Sequence, residues 1–206
     1  MKFASFAFVI ILFASCSPVK LVQVDSELKA TSEGFLFEND SVKITYHFWE
    51  KSGRMNFDIY NKLGTPLYVD WKTSAFIPND KMISYWRDET NTTSVSSAYF
   101  YYGAATGSSK MKTVRMERIG VIPPQSMITQ SSYVLVKKTD KLPEKGNFIK
   151  STSPLRFRSY VMLAGNEKFE GQVAAIDNSF YVSSVKKSNT GKYKKEKSQT
   201  WFYLSF

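Results

Sequence analysis

The sequence predicts an all-β fold, a single domain of two antiparallel sheets packed face to face. Three observations carry that expectation. Aromatic residues are abundant, with 12 Tyr, 16 Phe and 4 Trp, and aromatic and β-branched side chains suit half-buried pleated surfaces. No segment beyond the first apolar run repeats apolar residues at helical spacing over three or more turns, whereas short alternating runs between turn residues recur along the chain. Those runs amount to about ten to twelve strands, too many for one flat sheet and natural for a sandwich.

The chain opens with Lys2, then an unbroken apolar or small stretch from Phe3 to Ala14, then Phe13-Ala14-Ser15-Cys16. A positive start, an apolar segment, small residues and a cysteine read as an export signal. The pattern resembles the bacterial lipoprotein signal, which implies diacylglyceryl transfer to the Cys16 sulfur and cleavage just before it. An ordinary small-x-small cleavage site, releasing a secreted protein, is the alternative. A membrane-spanning helix is disfavoured: the run covers about 12 residues where a span needs about 20, and Ser17-Pro18-Val19-Lys20 breaks it. Each buried methylene contributes about 0.8 kcal/mol, so the two chains of a diacylglyceryl group anchor firmly where one would not.

Removing residues 1–15 from 206 leaves 191, enough for one domain that buries about 70% of its unfolded surface. Cys16 is the only cysteine, so no internal disulfide assists the fold and stability rests on core packing. Net charge is +10, or +9 without Lys2. Such an excess suits anionic lipid head groups or acidic glycans, or serves solubility alone; an exported chain has little occasion to meet nucleic acid.

Residues 16–33 are expected to leave the anchor as a tether, with Leu21-Val22-Gln23-Val24 as a short strand. The clearest local structure is a hairpin from Val42 to Asn61. Pairing Trp49 with Arg54 sets Phe48 opposite Met55, Tyr46 opposite Phe57 and Ile44 opposite Ile59 on one inner face. The outer face then holds His47–Asn56, Thr45–Asp58 and Lys43–Tyr60. A slip of one residue would turn every apolar side chain outward. Asn61 to Thr65 turns the chain, and Pro66 opens a strand from Leu67 to Trp71. Ser74 to Pro78 and Met82 to Trp86 are further short strands about an Asn79-Asp80 turn.

Polar and flexible residues mixed with aromatics from Arg87 to Lys112 predict a long loop, usually functional or disordered. Strand character returns over Arg118 to Ile122, ended by Pro123-Pro124, and over Met127 to Val136. A charged connection follows over Lys137 to Ser153. Leu155 to Leu163, Phe169 to Ile176, Phe180 to Lys186 and Thr200 to Phe206 complete the strands.

The stretch from Asn61 to Trp71 with Ser74 and Ile77-Pro78-Asn79 carries a wider resemblance. So do Ile122-Pro123-Pro124-Gln125-Ser126, Ser153-Pro154-Leu155-Arg156-Phe157-Arg158 and Phe180-Tyr181-Val182-Ser183. Through these segments the chain resembles a group of uncharacterised Bacteroidota lipoproteins with an immunoglobulin-like β-sandwich. The resemblance spans most of the chain after Cys16 and implies that fold. The group has no established activity, so no functional residue carries over. Surface-exported lipoproteins of the phylum often bear an acidic run after the cysteine; Ser17-Pro18-Val19-Lys20-Leu21 lacks it, which implies a periplasm-facing position. Asp40-Ser41-Val42 is similar to the phylum's O-glycosylation motif, with Ser41 as acceptor; a plain turn residue is the alternative.

Chemistry requires converging His, Cys or carboxylate groups. His47, the only histidine, lies mid-strand on the outer face and reads as a sheet residue. No metal-ligand spacing, nucleophile elbow or phosphate loop is present. Distant acids such as Asp58, Asp70 and Asp177 would have to converge in space to act as a glycosidase pair. Two features suit binding. Tyr99, Tyr101 and Tyr102, in the Tyr99-Phe100-Tyr101-Tyr102 run, could stack on sugar or a protein partner, or form an edge strand with two rings in the core. Lys186, Lys187, Lys192, Lys194, Lys195 and Lys197 surround a turn that suits an anionic surface, or is a solvated hairpin tip.

The expectation is a non-catalytic envelope lipoprotein without metal or cofactor. Residues 1–15 form the signal peptide, 16–33 the lipidated tether and 34–206 the sandwich. Its partners are the outer membrane, through acyl chains on Cys16, and an envelope protein or glycan. A glycan-binding accessory protein and a carboxylate-dependent hydrolase are the alternatives.

Overall fold

The structure is a computed structural model and describes residues 19–86, 91–101, 104–114, 117–137, 139–188 and 193–205; for 91–101, 104–114 and 193–194 the description is of the backbone. The signal segment 1–15 and Cys16 lie outside the described residues. Every strand ladder is antiparallel, and the strands fall into a nine-stranded sheet, a five-stranded sheet and a two-stranded ribbon. The two larger sheets share one apolar core, as in a β-sandwich.

The larger sheet is built on β1 (Val19–Ser26), which the sequence reading assigned to a tether except for Leu21–Val24. It instead runs between β15 (Val173–Ser188) and β16 (Trp201–Ser205). Leu21 and Val22 point to opposite faces and both are fully buried, as a strand in mid-sheet requires. The sheet continues from β15 to β14 (Arg156–Ala164), β6 (Leu67–Asp70) and β11 (Ile119–Ile122), with β7 (Ala75–Pro78), β8 (Ile83–Ser84) and β13 (Gly146–Asn147) attached.

The smaller sheet is a meander of β2 (Lys29–Thr31), β3 (Gly34–Glu38), β4 (Val42–His47) and β5 (Arg54–Asn61), closed by β12 (Met127–Val134) on β5. The β4–β5 register is the one its alternation predicts: Ile44 faces Ile59, Tyr46 faces Phe57 and His47 faces Asn56. Ile44, Tyr46, Phe48, Met55, Phe57 and Ile59 are all fully buried. Gly34 starts β3 at φ +131°, where a Cβ would stand 1.9 Å from the Tyr46 carbonyl oxygen. No side chain fits that crossing.

Rings from both sheets interlock in the core. Phe180 on β15 lies 4.9 Å from Tyr46, 5.3 Å from Phe48, 5.7 Å from Phe35 and 5.4 Å from Phe157, centroid to centroid. These separations lie in the favourable range for aromatic pairs. Two pairs of polar groups meet inside the core. The Asn178 amide donates to the Tyr46 hydroxyl at 2.9 Å, and the Tyr85 and Ser159 hydroxyls share a bond of 2.9 Å. Burial pushes the Tyr46 hydroxyl up to about 12 against the opposing bonds of Asn178 and Ser159.

Three further expectations are corrected. Phe169–Ile176 and Phe180–Lys186 are not two strands: β15 is continuous from Val173 to Ser188. Asn178, between the two expected strands, is buried and donates to the Tyr46 hydroxyl within an extended backbone. The long loop expected over 87–112 contains two paired strands, β9 (Asn91–Tyr101) and β10 (Ala104–Val114), registered from Tyr101 opposite Ala104 to Asn91 opposite Val114. Their Ser- and Thr-rich sequence lacks the apolar alternation by which a half-buried strand is recognised. The lysine-rich segment after β15 closes no hairpin with β16, because β1 lies between those two strands. It passes through a short 3₁₀ turn, Tyr193–Glu196.

Candidate functional site

A groove of about 1010 Å³ lies where β7 and β8 of the larger sheet approach β12 of the smaller one. Its floor is apolar. Phe76 stacks on Tyr133 with centroids 5.8 Å apart and planes 13° from parallel, and Ile83, Leu135 and Leu155 extend the surface. Tyr133 is fixed by donating its hydroxyl to the Ser84 carbonyl. Phe76 and Leu135 are buried beneath the groove, while Asn79, Lys81, Lys137 and Lys141 are exposed at its rim.

That rim is positive. Lys81, Lys137 and Lys141 are exposed along it and form no ion pair with a described residue. Arg54 also lines the groove but is engaged: its guanidinium holds the Glu50 carboxylate at 3.1 Å and the Ser132 carbonyl at 2.8 Å. The single acid of the lining, Asp140, accepts the Lys137 backbone N–H at 2.8 Å, closing its own turn. The sequence reading missed this groove. Its residues come from five separated segments, and only the lysines of the 137–153 connection marked it as charged.

The groove's outer wall is tied to one end of β1. Val136 donates its backbone N–H to Ser52, and Ser52 donates to Tyr203, which pairs with Leu21. Farther along the same connection, Glu144 receives Lys20 at 2.6 Å and Lys187 at 2.9 Å. Hydrogen bonds from these two lysines hold the Glu144 carboxyl down at about 2. Lys20 is buried although charged, with its head at the rim of the core.

Ser188 pairs with Val19, while Trp201 pairs with Gln23 and the Thr200 carbonyl accepts the Val24 N–H, so the lysine-rich segment leaves β15 at the N-terminal end of β1 and returns beside its middle. Of its expected anionic-surface contacts, Lys186 and Lys187 are already paired. Lys186 meets Glu196 at 2.7 Å and lies 4.5 Å from the Trp201 ring centroid, and Lys187 holds Glu144. Lys195 and Lys197 are exposed, without an ion pair among the described residues. Lys194 is described in backbone only, and Lys192 lies outside the described residues. Tyr99 and Tyr101 belong to β9, described in backbone, opposite Thr106 and Ala104; Tyr102 lies outside the described residues.

Ser41 is half-buried in the turn between β3 and β4, where the Asn39 side-chain oxygen accepts its backbone N–H and that of Val42, both at 2.9 Å. This is the local turn bonding that Asn favours.

The three acids considered for hydrolysis serve three different partners. Asp70 is 4% exposed. Burial raises its carboxyl, but bonds from the Arg118 guanidinium and the Lys72 and Thr73 amides outweigh this and hold it low. Asp177 pairs with Arg158 at 2.5 Å. Asp58 lies 3.4 Å from His47 Nε2 and accepts the Thr129 hydroxyl at 2.6 Å. His47 and Asp58 line a second, smaller groove of about 590 Å³ on the outer face of the smaller sheet, with Glu33, Lys43 and Tyr60. Among the described residues no three His, Cys, Asp or Glu side chains gather as a metal-ligand set.

No family model matches the sequence, and neither the curated proteins nor the solved structures contain a match to it.

Proposed function

We propose that this chain is a non-catalytic lipoprotein of the cell envelope. In this reading, acyl chains on Cys16 anchor it to the outer membrane, and the domain faces the periplasm as a binding or structural module. Its sandwich is of the immunoglobulin-like kind found in the Bacteroidota lipoproteins that the sequence resembles.

One observation carries the reading: β1 begins at Val19, with only Ser17 and Pro18 between it and Cys16. Three residue steps span at most about 10 Å. An acylated Cys16 would therefore bring the N-terminal end of β1 against the bilayer surface. The lysine-rich segment leaves β15 at that end, and its exposed Lys195 and Lys197 suit the phosphates of such a surface, where each is worth about 1 kcal/mol. The domain then rests on the membrane without a long tether. The separate engagement of Asp58, Asp70 and Asp177 favours a non-catalytic role.

Fractionation of the native envelope tests the anchor. The wild-type chain should sediment with membranes, and Cys16→Ser should move it to the soluble fraction. Equal membrane retention of both would overturn the reading.

A further inference from the structure

We propose that the groove between β7–β8 and β12 binds a single-chain anionic amphiphile, a long-chain fatty acid or a lipid of the same chemistry. The inference stands on the groove alone and does not depend on the anchor.

Two properties of the groove select this class. The floor of Phe76, Tyr133, Ile83, Leu135 and Leu155 is apolar, and half-buried Tyr133 and Ile83 present its open surface to a hydrocarbon chain. At about 1010 Å³ it lies at the upper end of small-ligand sites. The rim offers Lys81, Lys137 and Lys141, cations with no partner among the described residues, to a carboxylate or phosphate head group. Asp140, the one acid in the lining, is committed to its own turn. A neutral lipid would leave those charges unanswered, and a cationic amphiphile would be repelled. An acidic peptide answers the charge, but its backbone N–H and C=O groups would lie against the apolar floor.

Titration calorimetry of the full chain tests the assignment with three probes: laurate, hexanoate and dodecyltrimethylammonium. Laurate should bind saturably, one per chain, below its micellar concentration. Hexanoate should bind at least ~10-fold more weakly, since each lost methylene removes buried apolar surface, and dodecyltrimethylammonium should fail to saturate. The exposed pair Lys137→Glu/Lys141→Glu should weaken laurate at least ~10-fold with an unchanged melting profile, as head-group charge recognition requires. Ile83→Asp should do the same through the floor. Equal binding of the anionic and cationic dodecyl probes would overturn the proposal. So would wild-type laurate affinity in both variants, or no saturable laurate binding. An acidic hexapeptide that binds as tightly as laurate would assign the groove to a protein partner instead.

Discussion

The Asn178 amide donates to the Tyr46 hydroxyl at 2.9 Å, and the bond joins β15 of one sheet to β4 of the other inside the core. Both groups would otherwise be buried without a partner on that side. Tyr46→Phe should therefore cost about 1–3 kcal/mol, because it strands the Asn178 donor. The double variant Tyr46→Phe/Asn178→Leu should cost less than the sum of its singles, by about 0.5–3 kcal/mol, in urea unfolding. Strict additivity would show that the two side chains act independently.

Two glycines separate backbone demand from mere flexibility. A methyl group at Gly34 would meet the Tyr46 carbonyl at 1.9 Å at a positive φ, whereas nothing lies within 4 Å of one added at Gly64. Gly34→Ala should lose at least ~2 kcal/mol or fail to fold. Gly64→Ala should stay within about 0.5 kcal/mol of wild type. Comparable thermal shifts in the two variants would contradict the close crossing at β3.

Much of this architecture could be read from the residues. The register of β4 on β5 followed from alternation on both strands, because each residue of the pair had one sensible face. The strand after Pro66 and the end of β11 at Pro123 followed from proline's missing donor and fixed φ. What escaped was long-range. β1 looks like a tether because so short an apolar run gives no sign that strands 150 and more residues later will flank it. The break expected between Ile176 and Phe180 is closed by Asn178, whose partner Tyr46 is 132 residues away. The groove draws Phe76, Ile83, Tyr133, Leu135 and Leu155 from different segments, and each of them alone reads as core. Cys16 was the opposite case, conspicuous in sequence and outside the described residues.

Glu144 should make stability depend on acid. Bonds from Lys20 and Lys187 hold its carboxyl at about 2, below the ordinary value of 4.5. The unfolded chain then takes up a proton first as pH falls. The contribution is fully present above pH 4.5 and is lost on acidification through about 2. The stability advantage of wild type over Glu144→Gln should be constant near neutrality and shrink across that window. Concentrated salt should also reduce it. A difference that does not change with pH would place the effect elsewhere.

Charge on the segment between β15 and β16 should matter for membrane contact. Lys195→Glu/Lys197→Glu should weaken binding of the full chain to anionic vesicles by about 10-fold or more at low salt, given about 1 kcal/mol per lysine near such a surface. The difference should shrink as salt screens it. Neutral vesicles should not distinguish the variant from wild type; if they do, the lysines support the fold rather than the contact.

Lipid attachment at Cys16 tests the account most directly. Intact-mass and peptide mass spectrometry of protein purified from its native envelope should find a chain beginning at Cys16, its sulfur carrying a diacylglyceryl group. A free thiol at Cys16, in protein recovered from the aqueous fraction, would contradict the account.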